Sequence, residues 1–166
     1  MEHSAVLWPE QLYTAHDMAV AELADTQART EGSRRAVSLK ERRLKYEFEM
    51  DGLRIVFPAT AGAIRREGKV LDHCVGGYAS RHMSGVCTIL FLRRADDPHT
   101  PYITIEMDGN KIRQIHGYHN DTLAGSPKPR EVHKDFLAAW LRWLRAGSQR
   151  NEDGTPKLPK RTKKQK

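Results

Sequence analysis

The stretch PYITIEMDGNKIRQIH, residues 101–116, decides the fold of this chain. Apolar and polar side chains alternate on either side of Asp108-Gly109. An Asp-Gly pair between alternating segments is typical of a tight β-hairpin, because both residues tolerate positive φ. The sequence therefore predicts two antiparallel strands, residues 101–107 and 110–116.

The alternation leaves two registers open for this hairpin. A plain two-residue turn pairs Glu106 with Lys111 and Thr104 with Arg113, which makes Glu106 a surface residue in a cross-strand ion pair. A bulge at Gly109 shifts the pairing by one residue and reverses which side chains share a face. The bulged register gathers one polar surface from Tyr102, Thr104, Glu106, Gln114 and His116.

Outside the hairpin, the sequence alternates helical and extended patterns. Two further strands, 45–50 and 53–57, meet at Asp51-Gly52, which is a second hairpin signal. The strand that precedes the central hairpin covers residues 86–93. Helices are predicted by apolar spacing and by capping residues, over residues 9–29, 60–67 (stopped by Gly68), 72–83 (with Asp72 as N-cap) and 130–145.

These elements predict one α+β domain over residues 1–147. Its mainly antiparallel sheet has about five strands, packed with N-terminal, central and C-terminal helices. Residues 30–43 are polar and basic without apolar periodicity, so we expect a linker or a positive patch there. The last helix carries a wide apolar stripe that belongs in the core.

Most of the net charge of +7 lies at the C-terminus. Residues 148–166 carry seven basic and two acidic residues, a net +5, which leaves +2 for the rest. A Pro-, Gly- and Lys-rich segment of this kind is typical of a disordered tail that holds phosphate backbones by charge. The candidate nucleic-acid contacts are Lys160, Arg161, Lys163 and Lys164; the alternative is a solubilising terminus without a specific partner.

The composition also bears on location and redox state. The longest apolar run, residues 86–92, is far shorter than the roughly 20 residues that cross a bilayer. The N-terminal residues lack the pattern of a signal peptide. We therefore expect a cytoplasmic protein that does not engage membranes, in which Cys74 and Cys87 are reduced and buried.

The stretch LDHCVGGY, residues 71–78, is the first half of a candidate site. Gly76 and Gly77 each cost a predicted helix up to about 1 kcal/mol, so a backbone or a ligand should approach closely, and packing is the favoured explanation. His73 is a candidate hydrogen-bond donor to a ligand. Cys74 as a nucleophile requires a base from His116 or His119. No paired CxxC or HxxxH spacing supports a metal site.

The strings LDHCVGGYASR, ILFLRR, PYITIE and QIHG, followed by Asn120, resemble the PcfJ-like family of plasmid and phage proteins. The resemblance covers roughly residues 46–143. One departure is His116, which stands where the family pattern has Arg, so an anion-binding role there is in doubt. Because Thr104, Glu106 and Gln114 are all motif positions, the resemblance favours the bulged register. The full set of motif positions is His73, Cys74, Val75, Tyr78, Arg93, Thr104, Glu106, Gln114, Gly117 and Asn120.

The resemblance implies a mobile-element protein, of a phage or a conjugative plasmid, that acts in a nucleic-acid context. It does not imply an established reaction, and it leaves the cofactor unknown. One hypothesis is an enzyme with the catalytic residues His73, Tyr78, Glu106 and Gln114 and the substrate-binding residues Gly77, Arg93, Thr104 and Asn120. The alternatives are a non-catalytic nucleic-acid-binding accessory protein and a phage inhibitor that binds a host defence protein.

Overall fold

The computed structural model describes residues 9–121 and 127–160. The chain divides into two compact units, Met1–Lys40 and Glu41–Lys166. The first helix, α1 (Pro9–Tyr46), supplies the described part of the first unit and enters the second. None of the helices among the described residues is long and apolar enough to cross a membrane.

Helix α1 continues through residues 30–43, so the expected linker is wrong. Seven of its fourteen residues are Arg, Lys or Glu, which have high helix propensity, and it contains no proline. Of its described basic side chains, Arg34, Lys40 and Arg43 are exposed and Arg42 is half-buried. Arg42 donates to the carbonyls of His82 (2.8 Å) and Cys87 (3.1 Å), and its guanidinium lies 4.8 Å from the centre of the Phe57 ring.

The second unit is built on one antiparallel sheet in the strand order β1-β2-β3-β4-β5. The predicted α+β class with a five-stranded sheet is confirmed. The helices after α1 lie in the β2–β3 connection and after β5. The bounds are β1 (Phe48–Met50), β2 (Leu53–Val56), α2 (Ala61–Leu71), a 3-10 helix (Cys74–Tyr78), α3 (Ala79–Met83), β3 (Thr88–Arg94), β4 (Ile103–Asp108), β5 (Lys111–His116), a second 3-10 segment (Tyr118–Asp121), α4 (Pro129–Val132) and α5 (Lys134–Arg145).

Because side chains alternate along each strand, the two faces of the sheet differ. One face carries Ile89 and Phe91, which pack with Ile64 of α2 and with Val75 and Ala79 of the β2–β3 connection. The other face packs against α5: the ring of Phe48 lies 5.6 Å from Phe136 and 5.3 Å from Trp143. The polar residues of β4 and β5 lie on the first face, beside the β2–β3 connection.

The β4–β5 hairpin adopts a bulged register. Glu106 pairs with Gln114 and Thr104 pairs with His116, three residues beyond the plain register, and this pairing gathers the same polar face as the expected bulged register. The turn is Gly109-Asn110 and not the predicted Asp108-Gly109, because Asp108 pairs with Lys111, and this accounts for two of the three residues. The third is the extra residue Arg113, because Met107 pairs with Ile112 while Glu106 pairs with Gln114. The bulge therefore lies within β5 and not at Gly109.

The β2–β3 connection differs from the prediction at both helix boundaries. Helix α2 runs through Gly68 to Leu71, and Asp72, with φ of 49°, ends it in a left-handed conformation. Asp72 is therefore a C-cap and not the N-cap of the next helix. His73 is the N-cap of a 3-10 helix instead, and its ring nitrogen Nδ1 accepts a hydrogen bond from the Val75 amide at 3.5 Å.

An ordered segment follows α5, where the sequence predicted the start of a disordered tail. Arg150 donates to the carbonyls of Leu44 (2.8 Å) and Glu47 (2.6 Å), and Ser148 donates to that of Lys45 (2.6 Å). Lys160 is exposed at the end of the described residues. Three of the candidate nucleic-acid contacts lie outside the described residues: Arg161, Lys163 and Lys164.

Candidate functional site

A small slot lies on the first face of the sheet, where the β2–β3 connection meets β4 and β5. Its volume is about 40 Å³, close to that of one or two water molecules. A slot of this size admits the edge of a larger molecule but not a whole drug-sized ligand. It is lined by His73, Cys74, Val75, Tyr78, Ile89, Thr104, Glu106, Gln114, His116 and Asn120.

Glu106 places a carboxylate in this slot. Its side chain is 9% exposed, and the guanidinium of Arg113 lies 3.6 Å from Oε1. Arg113 itself is 61% exposed, so this contact is partly screened by water. A carboxylate that is largely covered, yet open to a small pocket, can accept or donate a proton to a bound group.

A hydrogen-bonded chain behind the slot holds His73 in one tautomer. Arg93 donates to both carboxylate oxygens of Glu67, at 2.9 Å for the Nη1–Oε1 bond, and Thr104 Oγ1 donates to Oε1 of Glu67 at 3.1 Å. The Thr104 proton is thereby used, so Oγ1 accepts from His73 Nε2 at 3.2 Å. Since Nδ1 accepts from Val75, the proton of His73 is on Nε2.

The same surroundings keep His73 uncharged. Burial lowers the pKa of His73 below its usual value and outweighs the opposing attraction of the Glu67 carboxylate. Both ring nitrogens make hydrogen bonds within the protein. His73 therefore forms part of the wall of the slot, and its Nε2 proton is donated to Thr104.

The segment after β5 closes the slot in an unusual conformation. His119, Asn120 and Asp121 all have positive φ, between 52° and 59°. Positive φ is uncommon outside glycine, costs of order 1–3 kcal/mol per residue, and persists only where the surrounding structure holds it. The Asp121 carboxylate accepts from the Gly117 amide at 3.1 Å, and a Cβ on Gly117 would lie 2.9 Å from it. The glycine of the QIHG motif thus makes room for the carboxylate that ties down this segment.

Of the residues predicted for the site, the structure brings most together and leaves three apart. Tyr102 points elsewhere, with its hydroxyl 2.7 Å from His133 Nε2. Arg93 is buried and pairs with Glu67, so its guanidinium is not presented to the slot. Gly77 is exposed and has no atom within 4 Å of a built Cβ, outside its chain neighbours. Those present in the lining are His73, Tyr78, Thr104, Glu106, Gln114 and Asn120.

The two cysteines differ from each other. Cys87 is buried, as expected, and burial raises the pKa of its thiol. Cys74 is exposed and lines the slot, so its predicted burial is wrong. The predicted helix over residues 72–83 assumed α-helical spacing, whereas Cys74 begins a 3-10 helix with a different periodicity. Among the described residues, no group of three or more His, Cys, Asp or Glu side chains is placed to hold a metal ion.

The residue that sequence reasoning missed is Glu67. It is 1% exposed and connects Arg93 to Thr104 and His73. A signal was available in the spacing, because Glu67 shares the apolar face of α2 with Ile64, three residues earlier, and Leu71, four residues later. A charge in that position predicts a buried partner.

Close backbone packing of α2 against the 3-10 helix explains the glycines near this site. A Cβ on Gly68 would lie 2.8 Å from the Gly76 amide nitrogen and 3.0 Å from the His73 carbonyl. A Cβ on Gly76 would lie 3.6 Å from Arg65 Cα. Gly68 is therefore the position where even one methyl group must displace the segment that carries His73.

We expect Gly68→Ala to lower the free energy of unfolding by about 1–3 kcal/mol, because the added methyl group overpacks this contact. Gly62→Ala in the same helix is the matched control. Its Cβ would approach only Thr60 Oγ1, at 3.9 Å, so alanine should stabilise α2 by up to about 1 kcal/mol. Urea unfolding followed by circular dichroism compares the two variants. Equal effects of the two substitutions would contradict the close packing at Gly68.

With the geometry in place, comparison with known proteins identifies the family. The sequence profile of the PcfJ-like proteins matches residues 1–128. The chain belongs to the PcfJ-like family. The match begins earlier than the resemblance at residues 46–143 indicated, and it ends before α5. All the slot residues of this PcfJ-like protein lie inside it.

One curated relative of this PcfJ-like protein is an uncharacterized protein of Listeria innocua. It is 32% identical over 118 residues, which cover 69% of this chain and 26% of the relative. The chain thus spans about a quarter of the length of the curated relative that it matches. No solved structure gives a significant match.

Proposed function

We propose that this PcfJ-like protein is an enzyme that acts on a nucleic acid or nucleotide, in the cytoplasm of a bacterium that carries a phage or plasmid. The observation that supports the proposal is the convergence of Glu106, Gln114 and Asn120 around one slot. These residues are separated in sequence and come from two elements, a β-hairpin and a strained loop. Stability alone does not require polar side chains and a carboxylate to line the same small pocket.

In this proposal, Glu106 is the general acid or base. It is the residue in the slot that combines a carboxylate with access to a bound group. Gln114 and Asn120 orient the substrate through their amide groups, and Tyr78 supplies a hydroxyl. His73 and Thr104 form the supported wall, because their hydrogen bonds lead inward to Glu67.

Glu106→Gln tests the assignment. The substitution keeps the shape of the side chain and removes its ability to exchange a proton. Mixed-sequence single-stranded RNA and DNA 12-mers are incubated with the protein, and products are identified by liquid chromatography and mass spectrometry. We expect product from the unmodified protein and a rate lower by on the order of 100-fold or more in the variant.

Glu49→Gln is the matched control for this experiment. Glu49 is an exposed carboxylate on β1 that lies 3.7 Å from Arg54, and its removal should leave the rate unchanged. Circular dichroism checks that Glu106→Gln remains folded. If Glu106→Gln retains the full rate, the assignment is wrong. Oligonucleotides that are bound but unchanged by the unmodified protein would favour the non-catalytic binding module.

A further inference from the structure

The chemistry of the slot restricts the group that enters it. None of its lining residues, all of which the structure describes, is Lys or Arg, and Glu106 supplies the only carboxylate among them. The remaining polar atoms belong to amides, hydroxyls and histidine rings, which exchange hydrogen bonds with uncharged partners. A phosphate would face the Glu106 carboxylate, and Arg113, whose guanidinium lies 3.6 Å from Oε1 of Glu106, is not among the residues that line the slot. The slot therefore suits an uncharged, hydrogen-bonding edge, such as that of a nucleobase or a ribose.

A second, larger depression adjoins the slot and has the opposite character. This groove has a volume of about 330 Å³ and shares Gln114, His116 and Asn120 with the slot. Its cationic side chains come from two elements: the bulge residue of β5, and the start of α4 with the residue before it. They are Arg113, Lys128 and Arg130, and all three are exposed.

The groove has two carboxylates, Asp121 and Glu131, which do not neutralise all three of its cations. Asp121 accepts from the Gly117 amide through both oxygens and lies 3.5 Å from His116 Nδ1, so it is engaged with its own loop. Glu131 is exposed. Within residues 9–121 and 127–160, no carboxylate lies within 4 Å of the Lys128 ammonium group. Lys128 is thus available to an external anion.

We infer that the substrate is a single-stranded nucleic acid, an inference that rests on the proposed function. An unpaired nucleoside places its edge in the slot, and the flanking phosphates lie along the groove against Arg113, Lys128 and Arg130. Amide side chains such as Gln114 and Asn120 pair well with base edges. A base stacked within a duplex cannot reach a recessed pocket without leaving the stack, which costs a few kcal/mol.

Fluorescence anisotropy tests this inference with a labelled, mixed-sequence single-stranded RNA 12-mer and the duplex of the same sequence. We expect the single strand to bind on the order of tenfold more tightly, because the unstacking cost falls on the duplex. The combined substitution Lys128→Ala with Arg130→Ala should weaken binding. The slope of log K against log salt should fall by about 1.4, since each lost contact to a single strand contributes about 0.7.

Lys69→Ala is the matched control, because Lys69 is exposed on α2 and lines neither the slot nor the groove. Arg130 also donates to the Ile112 carbonyl at 3.1 Å, so Lys128→Ala alone, with an expected slope change of about 0.7, guards against a folding defect. A slope equal to that of Lys69→Ala, or a duplex bound as tightly as the single strand, overturns the inference. The proposed function fails on a different measurement, the product rate of Glu106→Gln, so the two failures are distinguishable.

Discussion

Replacing Arg93 with methionine should lower the free energy of unfolding by about 3–5 kcal/mol. Arg93 and Glu67 form a buried ion pair, with side chains 5% and 1% exposed. Removing one partner leaves an uncompensated charge in the interior, which is far more costly than the pair itself is stabilising. Thr104 would also remain bonded to a carboxylate without its counterion. Urea unfolding at pH 7 measures the loss.

Arg94→Met is the matched control, because Arg94 follows Arg93 on β3 but points to the exposed side. Its guanidinium lies over the Tyr102 ring, and we expect a cost below about 1 kcal/mol. The double variant Glu67→Met with Arg93→Met should recover most of the stability, since no buried charge is left. If Arg93→Met costs no more than Arg94→Met, the ion pair does not carry the stability assigned to it.

The second large effect is a loss of stability on acidification, caused by His82. This side chain is fully buried; Nδ1 accepts from the Ile89 amide at 3.0 Å, and Nε2 lies 2.9 Å from the Pro58 carbonyl. Burial lowers the pKa of His82 to about 4, with a further contribution from Arg42, against the opposing hydrogen bond to Pro58. The folded protein therefore holds His82 neutral at pH values where the unfolded chain protonates it.

The sign follows from linkage between folding and proton binding. Above the usual histidine pKa of about 6.5, neither state is protonated at His82 and its full contribution is present. As the pH falls from about 6.5 to about 4, His82 binds a proton in the unfolded chain but not in the folded protein. The free energy of unfolding should then drop by about 3 kcal/mol. His73 and His133, whose pKa values are also lowered mainly by burial, act in the same direction.

Urea unfolding at a series of pH values between 4 and 8 measures this effect. His82→Asn, which retains an acceptor near the Nδ1 position, should be less stable at pH 7 but should lose most of the slope. His99→Asn is the control at an exposed histidine and should leave the slope unchanged. An unaltered slope in His82→Asn would show that the acid sensitivity arises elsewhere.

Much of the site was accessible from sequence, because it depends on a hairpin. Alternation assigns Thr104 and Glu106 to one face of a strand, and family motifs favour the register that brings Gln114 to the same face. The location of the bulge was not accessible. Both positions of the extra residue leave the same polar face, and they differ in the pairing of Met107 and Asp108, which the structure gives as Ile112 and Lys111.

Arg93 shows the opposite case. Its position in a motif indicated importance, but a strand-end arginine reads equally well as an anion-binding group and as a buried partner. The choice depends on Glu67, which approaches from a helix 26 residues away in the chain. Similarly, the sequence predicts that Gly68 ends a helix. The structure shows that Gly68 lies inside α2, where the Gly76 backbone packs against it.

Local patterns were enough for the five strands, the two Asp-Gly hairpin signals and the apolar face of α5, because alternation, turn chemistry and helical spacing act between neighbouring residues. They failed for residues 30–43, where helix propensity outweighs the missing apolar stripe. They also failed at residues 148–157, where Arg150 and Ser148 find carbonyl partners more than 100 residues away. Only the tertiary structure showed that Thr104, and through it His73, is hydrogen-bonded to the Glu67–Arg93 pair. A buried charge is stable only where the fold places an opposite charge beside it, and residues far apart in sequence supply that partner here.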